Sequence, residues 1–389
     1  MNTKTFFLAA ILLMAACAAA TAQEAAIAPP PPSQLPRAID SGTFPAGHIQ
    51  GIAVDTQRQY IYYSYTTMLV KADMQGRVVG TVTGLLGHLG CLDFNDADGR
   101  VYGSLEYKND AIGRGILASQ GERDRHADEG IYIAVFDVGR ITHEGMDAER
   151  DSIMTTVYLA DVVDDYTATV TTESGERPHR YGCSGIDGVS FGPRFGRSGG
   201  RQYLTVAYGI FSETDRTDND YQVLLQYDIR DWDRYETPLR QDSLHRNGPA
   251  RADGRYFVRT GNTTYGVQNL EYDAASHRWY MSVYKGKKPH FPNYTLFAVD
   301  GRSRPSQRAL EGVPYAVRAR VLPLADAGLR DKETGIRGWH FPYGSTGLFS
   351  LGMGYFYISH NYSSGKGQGS VIRLYHLTND AEHPFVAVE

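Results

Sequence analysis

The chain has very little cysteine. Three occur in 389 residues, and one of them, Cys17, falls near the N-terminus. The remaining two, Cys91 and Cys183, are too few for a disulfide scaffold or a Cys-x-x-Cys metal site. Positive charge is not in excess: 39 Lys and Arg stand against 44 Asp and Glu, a net charge of −5. With no basic stripe either, nothing favours a nucleic-acid partner. Beyond the first residues no apolar run is long enough to cross a bilayer as a helix. Also missing are the His-x-Glu-x-x-His metal spacing and a Gly-x-Ser-x-Gly nucleophile elbow. Gly182-Cys183-Ser184-Gly185 has neither the spacing nor the strand-to-helix context of such an elbow.

What is present begins with a leader. Lys4 gives a positive start, residues 6–16 are apolar, and Ala20-Thr21-Ala22 is a small-x-small cleavage site. Residues 1–22 are expected to be a signal peptide, and the protein to be exported, periplasmic or secreted. The weaker alternative is a lipoprotein: Met14-Ala15-Ala16-Cys17 loosely matches a lipobox and would anchor the chain through Cys17. Residues 23–36 are Ala/Pro-rich, with four consecutive prolines, and read as a spacer that favours polyproline II. Residues 37–389 read as one domain.

In that domain one phrase recurs five times: Tyr, a spacer, then Ser or Thr. It occurs as Tyr62-Tyr63-Ser64, Tyr102-Gly103-Ser104, Tyr203-Leu204-Thr205, Tyr280-Met281-Ser282 and Tyr357-Ile358-Ser359. A small, apolar, glycine-bearing run and a turn precede each copy, and another β-rich run follows. Repetition of an all-β unit predicts a β-propeller. The inner strands fall at 48–54, 88–94, 185–191, 267–272 and 347–351. The second strands fall at 60–65, 101–107, 202–208, 279–284 and 356–361, and the third at 68–73, 131–137, 222–228, 295–300 and 371–376. The fold is read as five four-stranded antiparallel blades. Six is the alternative, because residues 138–180 and 301–340 are long enough to hide strands. Residues 37–43 are expected to complete the last blade and close the ring. Cys91 and Cys183 fall in different blades and at different depths, so free buried thiols are expected.

The runs Gly51-Ile52-Ala53-Val54-Asp55 and Leu92-Asp93-Phe94-Asn95, each entering a hairpin, resemble NHL and YncE-type propeller blades. The resemblance covers the first two strands of a unit and implies the fold alone. The marks of WD40, kelch and Asp-box repeats are absent.

Propeller geometry brings the residues ahead of each inner strand, and the loops after each second strand, to one face around the tunnel mouth. The first set supplies His48, His88, Arg180, Tyr181 and Tyr265; the second supplies Glu106, Lys108, Lys285, His360 and Asn361. A funnel of these types suits a polar or anionic ligand, with His48 and His88 as proton-transfer groups. Tyr181 and Tyr265 are the expected donors, and Arg180 and Lys285 the expected anion anchors. Glu106 and Asp187 form the available carboxylate pair, whereas Asp93 and Glu271 are expected to point into blade packing. One step deeper, Gln50, Asp187 and Gln268 converge on the axis, where calcium or a water would sit. Exported calcium-dependent apyrases share such an architecture, but with several carboxylates where this chain offers one. Two loops, 109–130 and 286–293, are expected to overhang the mouth. The expectation is thus an exported propeller that binds or processes a polar or anionic glycan or phosphorylated small molecule, as a hydrolase or lyase. The alternative is a non-catalytic propeller holding a glycan or protein partner at the cell envelope.

Overall fold

The computed structural model describes residues 29–123, 129–173, 175–316 and 318–389. The expected signal peptide, Cys17 and the start of the spacer lie outside the described residues. Five small sheets stand around one axis, each with its inner strand at the centre. The inner strands are Ile49–Val54, His88–Asn95, Cys183–Pro193, Thr264–Asp273 and Leu348–Gly352. Each pairs antiparallel with the second strand of its own unit, which then pairs with the third. The chain is a five-bladed β-propeller.

The recurring phrase explains how neighbouring blades hold together. Its hydroxyl residues, Ser64, Ser104, Thr205, Ser282 and Ser359, are all buried in second strands. Ser64 Oγ donates to the Gly90 carbonyl of blade two at 2.6 Å, and Ser104 Oγ to the Asp187 carbonyl of blade three at 3.0 Å. Ser282 Oγ reaches the Tyr343 carbonyl, just ahead of the inner strand of blade five, at 3.4 Å. In three of five units the hydroxyl therefore latches the next blade. Thr205 instead accepts from Gln226, and Ser359 bonds Thr346 within its own blade. The latch needs a bare backbone opposite it, since a Cβ on Gly90 would run into Ser104 Oγ. Most of the paired tyrosines fill the space between sheets.

Ring closure follows the sequence expectation. Ala38–Phe44 pairs antiparallel with the third strand of blade five, Gly367–Leu377. Ile39 is buried, and Ser41 Oγ both meets Tyr65 OH at 3.0 Å and accepts from Ser370 N at 2.8 Å. The long stretches that left six blades open hold other elements. Residues 138–180 supply Met154–Tyr158, the outer strand of blade two, then a helix, Ala160–Thr167, and a hairpin of Thr169–Thr172 with Gly175–Pro178. Residues 301–340 supply Ser306–Arg308 and Ala319–Val321, which extend blade three. Blade four departs from four strands: its ladder has three, and single bridges to Leu324 and Trp339 cover its edge. No helix among the described residues is long and apolar enough to cross a membrane.

The centre of the ring is filled rather than open. Asn269 Nδ2 donates to the Gln50 carbonyl at 2.8 Å and to the Ser345 carbonyl at 3.1 Å. Cys91 Sγ lies 3.4 Å from the Val189 carbonyl and 3.5 Å from Asn269 Oδ1. All five blades thus meet in one buried plug. Burial pushes the Cys91 thiol up to about 12, so it stays protonated. Cys91 and Cys183 are both free and buried, as expected.

Two residues further along the same strands come Asp93 and Glu271. Asp93 accepts from Phe94 N at 2.7 Å and from Phe191 N of the next blade at 2.6 Å. Glu271 Oε1 accepts from Ser350 N of the next blade at 2.7 Å, while its buried Oε2 has no protein partner. Both carboxyls are inside the blade packing, where the sequence placed them.

Candidate functional site

Above the plug lies a cavity of about 490 Å³, within the size range of small-molecule sites. Its lining includes residues from four blades. His48 and Gln50 come from blade one, His88, Glu106 and Lys108 from blade two, Asp187 from blade three, and Tyr265 and Gln268 from blade four.

Glu106 and Lys108 sit at the end of the second strand of blade two, both buried. Lys108 Nζ is 2.6 Å from Glu106 Oε2, 3.8 Å from Asp110 Oδ2 and donates to the Ser184 carbonyl at 2.7 Å. The other Glu106 oxygen, Oε1, accepts from Ile186 N at 2.5 Å. Both Glu106 oxygens are therefore taken up in fixing blade three to blade two. Gly185 is required between them: its φ is +120°, and a Cβ there would collide with Glu106. Burial works against the Lys108 ammonium, but Glu106, Asp110 and Asp187 outweigh it and hold it above its ordinary value. Burial also raises Glu106, against the pull of Lys108.

Asp187 differs. Its Oδ2 accepts from Gln268 Nε2 at 3.0 Å, and its Oδ1 faces His88 Nδ1 at 3.9 Å, beyond hydrogen-bond range. Burial, then the Glu106 charge, push its carboxyl up to about 7, against Lys108 and the Gln268 bond. His88 is driven the other way, down to about 3, by burial and then by Lys108 and His48. At neutral pH the imidazole is uncharged and the carboxyl is near its midpoint. His48 is lowered by burial as well. The site thus holds one fixed ion pair and, beside it, one titrating carboxyl with a neutral imidazole. Such a carboxyl can give or take a proton near pH 7.

Among the described residues, one group of three metal-ligand types converges: atoms of His88, Glu106 and Asp187 lie within 4.8 Å of one another. The oxygen set expected from the sequence, Gln50, Asp187 and Gln268, does line the cavity. In it, however, Gln268 donates to Asp187 and Gln50 donates to Thr66 Oγ1 at 3.3 Å.

Five of the sequence-predicted residues are elsewhere. Arg180 pairs with Asp165 at 2.7 Å on the flank of blade three. Tyr181 packs on Phe257 and Tyr315 there. The inner strand of blade three starts at Cys183, and a 3₁₀ turn at Arg180–Gly182 swings the preceding residues outward. Tyr181 itself has φ +59°. Lys285 does not line the cavity; its carbonyl accepts from Thr264 Oγ1 at 2.8 Å. His360 lies inside the second strand of blade five, stacked on Tyr343 at 3.7 Å and bonded to Tyr375. Asn361 donates to the Ile49 carbonyl at 3.1 Å.

The sequence reading missed other lining residues. The loop after Lys108 contains a helix, Ala111–Ser119, capped by Asp110, which accepts from Gly113 N at 2.8 Å. Ile112 and Phe211 join Tyr265 in the cavity wall. Asp110 was a legible N-cap, but Gly113 and Gly115 argue against a helix by propensity. In the second loop, Lys288 is buried under Arg216, Asn219 and Asp220, so residues 286–293 are tied down at that point.

No family model matches the chain, and no curated protein matches it. Among solved structures it is similar to the β-propeller domain of Cps50 (Swd1) from Myceliophteria thermophila, at 10% identity and TM-score 0.31, covering 85% of this chain and 84% of that one. It is similar to a protein of unknown function from Bacteroides caccae at 9% identity and TM-score 0.28, covering 72% and 86%. It is also similar to PorZ, a surface component of the type-IX secretion system of Porphyromonas gingivalis, at 10% identity and TM-score 0.32, covering 87% and 33%. These likenesses say nothing about the chemistry of the cavity.

Proposed function

We propose that the protein is an exported enzyme that uses the axial cavity for acid–base chemistry on a polar, uncharged or cationic glycan, as a hydrolase. The observation that carries this reading is the Asp187 carboxyl. It has one oxygen held by Gln268 and one open toward a neutral His88, and it titrates near 7 in a cavity of ligand size. Asp187 is the proposed proton donor and acceptor, with the neutral His88 imidazole beside it. Glu106 and Lys108 are positioning residues, because their polar atoms are occupied by each other and by blade three.

The charge of the ligand follows from the lining. Glu106, Asp110 and Asp187 face the cavity against the single ammonium of Lys108, and the expected anion anchors Arg180 and Lys285 do not reach it. That balance supports a ligand rich in hydroxyl or amine donors over a phosphate or a uronate. Export rests on the leader pattern of residues 1–22; a chain recovered outside the cytoplasm and starting near Gln23 checks it.

The test of function is Asp187→Asn, which keeps the acceptor for Gln268 and removes the titrating group. Wild type and variant are screened for turnover on 4-nitrophenyl glycosides and defined oligosaccharides, and for ligand-induced thermal shifts on the same panel. General acid–base catalysis contributes about 10²–10⁴-fold, so turnover is expected to fall by at least about 100-fold while the thermal shift persists. Turnover retained in the variant overturns the assignment. Thermal shifts without turnover in wild type turn the reading to a non-catalytic glycan binder.

A further inference from the structure

The axial cavity is not the whole concavity. A second, shallower one of about 610 Å³ lies outward of it, and the two share Asp110, Ile112, Phe211 and Tyr265. They form one continuous cleft, running from the axis across the rim between helix Ala111–Ser119 and the loop at 211–215. At the junction two large apolar side chains stand exposed, Ile112 at 42% and Tyr265 at 44%. Only five large hydrophobics on the described surface are so exposed, and two of them flank this passage.

Tyr265 is held there at a cost. Its φ is +64°, a left-handed conformation that a bulky L-residue avoids by about 1–3 kcal/mol. The Tyr265 carbonyl accepts from Gln268 Nε2 at 3.0 Å, the same amide that donates to Asp187. One glutamine therefore bonds both the proposed acid and the backbone of the doorway residue. Glycine would satisfy this backbone without strain. The ring of Tyr265 stands exposed where the two cavities join.

Resting on the glycan reading above, we propose that the ligand is an oligosaccharide of two or more units. Its terminal unit occupies the axial cavity, and its next unit crosses the doorway with its C–H face on Tyr265. A pyranose offers the two surfaces this passage needs. Its apolar face buries area on an aromatic ring, and its hydroxyl edge meets the polar groups of the outer cavity, Asp110, Ser212 and Thr214 among them.

The experiment measures binding to immobilised β-linked glucose and N-acetylglucosamine oligomers of defined length, from one unit upward. Wild type, Tyr265→Gly and Tyr265→Phe are compared. Tyr265→Gly removes the ring while relieving the backbone, so the variant is expected to fold, and its melting temperature checks this. Wild type should gain affinity from one unit to two, and Tyr265→Gly should lose about 10-fold on the longer ligands, a larger loss than on single units. Tyr265→Phe should behave as wild type. Equal affinity for all lengths in wild type, or an equal loss at every length in Tyr265→Gly, overturns the doorway role and leaves the cavity reading standing. No binding to any glycan in any variant overturns both.

Discussion

Glu106→Ala melts well below wild type. The substitution leaves the Lys108 ammonium, 7% exposed, without the carboxylate 2.6 Å away. It also strips Ile186 N of its acceptor. Breaking one side of a buried ion pair costs about 3–5 kcal/mol, which corresponds to a fall of roughly 4–7 °C in melting temperature for a domain of this size. The magnitude rests on desolvation rather than on attraction, and a second variant separates the two. In Glu106→Leu combined with Lys108→Met the buried pair is removed whole, and most of the lost stability should return. A double variant as unstable as Glu106→Ala would locate the loss in packing or in the Ile186 contact instead. The measurement is a pair of thermal melts in one buffer.

Glu271→Gln acts in the opposite direction, and its effect depends on pH. Burial, then the charge of Asp93, hold Glu271 well above the usual carboxylate range. Asp93 is pushed up to about 7 by burial, against its hydrogen bonds to Phe191 and Phe94. Both folded-state values are raised, so the folded protein keeps protons that the unfolded chain has already lost. Stability is therefore greatest below about pH 4 as far as these groups are concerned, falls as pH climbs toward 7, and is lowest above it. Glutamine keeps the oxygen that accepts from Ser350 N and places an amide where Glu271 Oε2 lacks a partner. The expected result is a variant about 5 °C more stable than wild type at pH 8, with the difference nearly gone at pH 4. A variant less stable at pH 8 would mean that the second oxygen is not left alone in solution.

The fold was largely legible because its signals are periodic. Inner, second and third strands lie within a few residues of where turn chemistry and alternation put them, and the closing strand at Ala38–Phe44 was placed from its position in the chain. Eight candidate residues also line the cavity, from His48 and Gln50 to Tyr265 and Gln268. Arg180 and Tyr181 were lost because a 3₁₀ turn ahead of the inner strand of blade three redirects the chain there. His360 and Asn361 were lost because the second strand of blade five runs on to Ser364, so residues read as loop are strand. Such extensions depend on cross-strand pairing that one segment alone does not announce. Ile112 and Phe211 carried no signal of function, since a single apolar residue in a loop or at a helix start reads the same wherever it points.

The plug of Cys91 and Asn269 makes the ring a cup with a floor. A cup with one mouth admits a chain by its end, never by its middle. If the ligand is a polymer, the bond that reaches Asp187 is the one nearest the tip. Each turnover must then clear the cup through the same doorway by which the next chain arrives. On the proposed enzymatic reading, trimming from the end, one unit at a time, is the expected mode of action.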